Sequence, residues 1–419
     1  MPSQLLQQKV SYSELIVRAG LNLQPGQRLL ISESAISGVD IHLAPFVRLI
    51  VAAAYRAGAH LVDVIWDDPR LLPIRFREAA AETAKEHSAW RVSAGLEFLE
   101  KGGAVLALRA SHPNLLRGTD PKLVSLNANA LAESARPVAA QIEGNAVNWC
   151  VASAPIPSWA AKVFPSLPPA KREGRLWEVI LQLCRADQPD PVALWLSLGK
   201  DLASRAAHLN ARQYSSLTFK GPGTDLTVGL PPRHVWLGGQ NRAKNGVVFL
   251  PNIPTEEVYT LPHRSRVDGS VQSTKPLNLF GSTIEGFRLV FRDGKVTEFA
   301  ARKGEAHLRE LIETHEGASR LGEVALVPAS SPISKMGIVL WDVLFDENAA
   351  SHLALGNAYR DSLEGGGEIS EEEFAEAGGN ASAVHVDFMI GSSEVDVDGV
   401  TAQGTLDPIM RKGEWAFNM

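Results

Sequence analysis

Between Arg28 and Ala152, short apolar runs of strand length alternate with stretches whose apolar residues recur at helical spacing. That alternation constrains the fold more than any other feature, because strands separated by helices pair in parallel and bury both sheet faces. RLLIS (28–32), LVDVIW (61–66), AVLALRA (104–110) and NAVNWCVA (145–152) read as strands. Residues 12–20 read as a short amphipathic helix, and Pro25-Gly26 turns the chain. Leu43, Phe46, Val47, Ile50, Val51 and Ala54 mark one face of a second helix, which Gly58 stops. No GxGxxG or GxxxxGK[ST] follows any of these strands, so a nucleotide site has no support. The Pro-rich stretch 155–169 and DQPDP (187–191) are expected to be loops, and a helix over 198–210 leads out of this half.

The second half has a different pattern. FKGPGTDLTVGL (219–230) places two short strands around a Gly-rich turn, and 246–262 is extended. FRLVFR (287–292) and 295–300 meet at Asp293-Gly294, a strong hairpin signal. A helix over 303–318, a strand at EVALVP (323–328), a helix near 347–359 and two final strands complete a mixed α+β arrangement. The expected fold class is α/β, with an N-terminal α/β domain over 1–213 built on a mainly parallel sheet. A C-terminal mixed α+β domain over 214–419 carries the candidate chemistry. A chain of 419 residues fits two domains, since single cores stop growing near roughly 250–300 residues.

Net charge is −6, which disfavours nucleic acid or an anionic membrane as partner. No apolar run reaches the roughly 18–20 residues of a membrane span. The polar start MPSQLLQQKVSYSEL has no secretory pattern, so a cytoplasmic location is expected. Cys150 and Cys184 form no CxxC pair and are expected to be reduced core thiols.

Candidate ligands for metal concentrate in the second half. In AVHVDFMIGS (383–392), strand alternation sends Val384, Val386, Phe388 and Ile390 one way and His385 with Asp387 the other. An imidazole and a carboxylate so placed can reach one ion or two adjacent ions. In LFDENAASHLALGNAY (344–359), a helix would put His352 and Tyr359, seven residues apart, on one face. PTEEVYT (254–260) carries Glu256 and Glu257, which alternate to opposite sides of an extended segment. Glu323 opens EVALVP after Gly322. Taken singly, each has an ordinary explanation: a polar pair facing water, a hydrogen-bonded core histidine, a solvated strand end. Together they fit one electrostatic requirement. Three carboxylates and one hydroxide balance two divalent cations, and neutral imidazoles complete the coordination. Such O/N donor sets suit zinc, cobalt or manganese. There is no HExxH, since THEG (314–317) lacks the second histidine, and a single-zinc site of that kind is disfavoured.

The strings NIPTEEVYT (252–260), GEVALVP (322–328), SPIS (331–334), LFDENAASHLALGNAY (344–359) and HVDFMIGS (385–392) resemble the thermophilic metallo-aminopeptidase family, of the aminopeptidase T and S type. They fall in the family's order with closely matching spacing, over most of 220–400. The first half shares only the family's length and α/β pattern. The resemblance implies an aminopeptidase with two divalent ions held by Glu257, Glu323, His352, His385 and Asp387, with Glu323 bridging. It implies Tyr359 as the active-site tyrosine, and Glu256 is the candidate general base. It also implies a homodimer acting on peptide substrates. VLWDVLF (339–345) and LPHR (261–264) depart from the usual family pattern beside the site, where they bear on substrate preference rather than metal binding. The expected reaction is release of N-terminal residues through a hydroxide held by the two ions. An amidase or esterase acting on non-peptide substrates and a catalytically silent binding homologue are the rival readings.

Overall fold

The computed structural model describes residues 3–34, 36–279 and 282–418. Two compact units emerge, Met1–Gly199 with Gln240–Pro254 and Lys200–Gly239 with Thr255–Met419.

The first unit is an α/β layer structure. Its five parallel strands run in the order Asn252–Ile253, Trp149–Ser153, Ala104–Arg109, Arg28–Ser32 and Leu61–Val64. The inner strand Arg28–Ser32 is buried from Leu29 onward, as a parallel strand covered on both faces requires. The expected helix before Gly58 spans Ala44–Arg56, and the run at 145–152 becomes strand only from Trp149. The Pro-rich stretch expected to be loop carries the helix Pro157–Val163, and Pro169 opens the helix Pro169–Leu183. Proline's fixed φ and missing N–H suit the first helical turn, so these prolines start helices instead of breaking them. The helix Leu71–Glu78 buries none of its residues, leaving Leu71 60% exposed.

The second unit holds two antiparallel sheets. One has nine strands and includes Ser282–Arg292 and Lys295–Lys303, joined as expected at Asp293-Gly294. Asp293 (φ 49°) and Gly294 (φ 78°) supply the two left-handed residues of that tight turn. The helix expected over 303–318 is Glu305–Glu313 with a 3-10 turn at Glu316–Ser319. The C-terminal end holds four strands rather than two: His385–Met389, Asp396–Val400, Leu406–Arg411 and Glu414–Trp415.

The other sheet has four strands in the order Val258–Thr260, Leu321–Leu326, His352–Gly356, His385–Met389. One core joins the two sheets, with Phe219, Phe287 and Phe291 meeting Val324, Leu353, Leu355 and Phe388.

This second sheet corrects the reading of 344–359 as a helix. Only Val343–Asp346 is α-helical, followed by a 3-10 turn at Glu347–Ala349, and His352–Gly356 is a strand. His352 and Tyr359 are therefore not successive residues on one helix face. The strand lies between two others and is buried at every position. Burial on both faces produces an unbroken apolar run that mimics a buried helix. Ladder pairing on both sides outweighs the helix preference of Ala and Leu, worth only tenths of a kcal/mol per residue.

Candidate metal centre

The four-stranded sheet builds the site by alternation. On each strand the odd-numbered set turns one way and the even-numbered set the other. Val324 and Leu326, Leu353 and Leu355, and Phe388 face the core, while Val384 and Val386 pack against its edge. Glu323, His352, His385 and Asp387 therefore share the opposite face. The register completes the arrangement. Ala354 pairs with Glu323 on one side and Asp387 on the other, and Ala325 pairs with Tyr259 and His352. These small residues leave room between the flanking polar side chains. Gly356 pairs with His385 at φ 113°, and a Cβ there would clash with the Val384 carbonyl.

The structure brings Glu257, Glu323, His352, His385 and Asp387 together. His352 Nε2 lies 3.3 Å from Glu257 Oε2 and 3.4 Å from Glu323 Oε1. His385 Nε2 lies 3.4 Å from Glu323 Oε2 and 3.2 Å from Asp387 Oδ1. Two three-residue groups result, Glu257–Glu323–His352 and Glu323–His385–Asp387, each with its donor atoms within 4.8 Å of one another. Glu323 belongs to both and presents one oxygen to each.

The donor set fits cations. His352 Nδ1 lies 3.1 Å from the Ala350 carbonyl and His385 Nδ1 2.8 Å from the Asn357 carbonyl. Carbonyls only accept, so both Nδ1 atoms carry hydrogen and both Nε2 atoms face the carboxylates. A neutral imidazole would then point a lone pair at a carboxylate oxygen. Only a second proton or a metal ion between them relieves that repulsion. Glu257 Oε2 and Asp387 Oδ1 are also buried and accept no hydrogen bond of good geometry.

Without metal, protons play that part. Burial alone would lower the His352 pKa, but Glu323, Glu257 and Asp387 outweigh it and push it up to about 10. His385 is held well above its ordinary value in the same way, burial being overcome chiefly by Asp387 and Glu323. Burial pushes Glu257 up to about 8. For Glu323 and Asp387 burial is overcome by the two histidines, and both stay below the usual carboxylate range.

Glu256 is buried but belongs to neither group, and its backbone N–H donates to Asn348 Oδ1 at 2.7 Å. Tyr359 sits beyond the strand His352–Gly356, at the start of the turn Arg360–Ser362. Its ring lies 4.8 Å from the His385 ring and 6.0 Å from that of Tyr259. The Tyr359 residue is 38% exposed, yet its hydroxyl is desolvated, and burial with the Glu323 and Asp387 charges holds the phenol well above its ordinary pKa.

Sequence reasoning missed Glu347. Burial, then Glu257 and Asp387, hold its carboxyl well above the usual range, so it shares the field of the centre. The available signal was an acid five residues before His352, without a spacing pattern of its own. Cys150 and Cys184 are both buried and form no disulfide, as expected. Among the described residues no helix is long and apolar enough to cross a membrane.

Comparison with known proteins extends the likeness beyond the second half. The thermophilic metalloprotease (M29) family matches residues 6–415. The chain is 47% identical to aminopeptidase T of Thermus thermophilus over 403 residues, covering 96% of this chain and 97% of that one. It is 43% identical to aminopeptidase 2 of Geobacillus stearothermophilus over 408 residues, 97% of each. The solved structure of wild-type AmpT from Thermus thermophilus superposes with a TM-score of 0.91 at 44% identity, covering 98% of this chain and 100% of that chain. Sequence and fold agree, and this chain belongs to the thermophilic metalloprotease (M29) family.

Proposed function

We propose that this chain is a metal-dependent aminopeptidase that releases N-terminal residues from peptides, using two divalent cations, Zn, Co or Mn. Glu257, Glu323 and His352 would hold one, and Glu323, His385 and Asp387 the other. The observation that carries this reading is Glu323, whose two oxygens face two different imidazoles at 3.4 Å each. Cations there would supply a water of lowered pKa as nucleophile, polarise the scissile carbonyl and anchor the free α-amine.

The chain's own groups do the rest. The Nδ1–H bonds to Ala350 and Asn357 fix both imidazole rings with Nε2 turned inward. The Glu256 carboxylate, one residue from Glu257, takes the proton of the attacking water and passes it to the leaving amine. The Tyr359 phenol, kept protonated by burial among carboxylates, donates to the oxygen that gains charge as the carbonyl is attacked. The protein acts as a cytoplasmic homodimer. The buried thiols, which form no disulfide, support a reducing compartment, and the exposed Leu71, Ile74 and Trp90 support a partner face.

Dialysis against a chelator, followed by hydrolysis of an aminoacyl-anilide panel with added Zn, Co or Mn, tests the proposal. Restoration by metal with free but not N-acetylated substrates is expected. Full activity of verified metal-free protein, or equal cleavage of N-blocked substrates, would refute it.

A further inference from the structure

The geometry points to Asn348 as a positioning residue that holds the Glu257–His352 half of the centre in place separately from the other half, an inference that rests on the two-cation reading. Asn348 is fully buried in the turn Glu347–Ala349. Its Oδ1 accepts the Glu256 N–H at 2.7 Å. Its Nδ2 donates to the Leu344 carbonyl at 3.0 Å and lies 3.4 Å from Glu347 Oε1. Its own carbonyl accepts from Ser331 Oγ at 3.4 Å. A backbone N–H must meet oxygen and a backbone carbonyl must meet NH2, so the amide has one orientation. A single side chain thereby ties the segment carrying Glu256 and Glu257 to the turn carrying Glu347.

The two halves of the centre are held by different means. His385 and Asp387 lie within a strand that pairs with His352–Gly356 from His352↔Met389 to Gly356↔His385. Glu323 lies inside the strand Leu321–Leu326, and His352 opens the strand beside it. Glu257 lies outside any strand, since the ladder begins only at Val258. Backbone pairing fixes the His385–Asp387 half. The Glu257 half depends on what anchors residues 255–257, and Asn348 grips the neighbouring amide there. Removing this side chain deprives the Glu256 N–H and the Leu344 carbonyl of a buried partner. The segment then shifts to recover one, and Glu257 Oε2 leaves its place 3.3 Å from His352 Nε2.

Equilibrium dialysis against Co2+, with metal analysis and the cobalt absorption spectrum, tests this on wild type, Asn348→Ala, Asn348→Asp and Asn148→Ala. Wild type is expected to bind two ions. Asn348→Ala is expected to keep one at wild-type affinity and bind the other about 10–100-fold more weakly, as when a group that orients a ligand is lost. Asn348→Asp still offers oxygen to the Glu256 N–H but loses the N–H that meets the Leu344 carbonyl, so it is expected to weaken the same ion, by less than Asn348→Ala does. Asn148→Ala removes an equally buried amide from the first unit, where it donates to the Leu21 carbonyl. It should lower Tm without changing stoichiometry. An Asn348→Ala protein that retains both ions, or weakens both equally, overturns the inference and leaves the two-cation reading standing. If Asn348→Ala does not fold, Asn348→Asp decides: selective weakening of one ion supports the inference, and both ions held at wild-type affinity or weakened equally overturns it. Wild-type protein that binds no cobalt overturns the two-cation reading itself.

Discussion

Loading the metal-free protein should expel protons, and the structure sets roughly how many. At pH 7 the empty cluster is near neutral. His352, at about 10, and His385, held well above its ordinary value, carry positive charge. Glu323 and Asp387 are ionised and balance them. Glu257, pushed up to about 8, stays mostly protonated, and Glu347 is shifted in the same direction by burial and the neighbouring carboxylates. Coordination needs bare imidazole nitrogens and ionised carboxylates, so two dications should displace about two to three protons. Each displaced proton steepens the apparent affinity by about a factor of ten per pH unit. The sign for stability follows. The His352 proton stabilises the metal-free fold fully below 6.5, and that stabilisation is lost as pH rises through about 10. Glu257 acts in the same sense between 4.5 and about 8. The metal-free protein should thus lose stability across this window while the loaded protein does not, and the gain in Tm on loading should grow with pH. Calorimetric titration at pH 7 in buffers of different ionisation enthalpy counts the protons, and melts from pH 6 to 9 follow the gain. Release of fewer than one proton per two ions, or a pH-independent gain, would refute the charge exchange.

Four substitutions probe the remaining roles. Glu256→Gln should keep full metal content while kcat falls by about 10²–10⁴-fold, whereas Glu257→Gln should lose metal; metal analysis beside steady-state kinetics separates them, and near wild-type kcat in Glu256→Gln removes it as base. Tyr359→Phe should lower kcat by about 10²–10³-fold with metal content unchanged, and an unchanged kcat dismisses the phenol as a donor to the developing oxyanion. Ala354→Leu adds bulk to a fully buried position in register between Glu323 and Asp387, so it should cost about 1–3 kcal/mol and lower metal occupancy; a melt and a metal count that both match wild type would show that the gap between these carboxylates tolerates filling.

Much of this molecule is legible in local periodicity. Alternation in HVDF separates His385 and Asp387 from Phe388, and the strand Arg28–Ser32 falls where its apolar run lies. The Asp293-Gly294 turn marks its own hairpin, because few residues tolerate two successive positive φ angles. His352–Gly356 was harder to read. A strand buried on both faces carries no polar alternation, and its Ala and Leu favour a helix when taken alone. Pro157 and Pro169 looked like loop residues because proline breaks a helix everywhere except where it begins one.

The sequence by itself determined which residues can bind metal, which segments bury an apolar face and, through its likeness to a family, what chemistry to expect. Those properties reside in side-chain type and short-range spacing, which folding does not change. The tertiary structure decided the rest. It set Ala354 between Glu323 and Asp387, gave each oxygen of Glu323 its own imidazole, and drew Glu347 into the field of the centre. It also decided that Glu257 and not Glu256 enters the cluster. Adjacent glutamates are equivalent in composition. Which one turns inward depends on where the ladder begins, at Val258, and on an amide from a turn some ninety residues further along the chain, and pairing over such separations is a property of the folded chain alone.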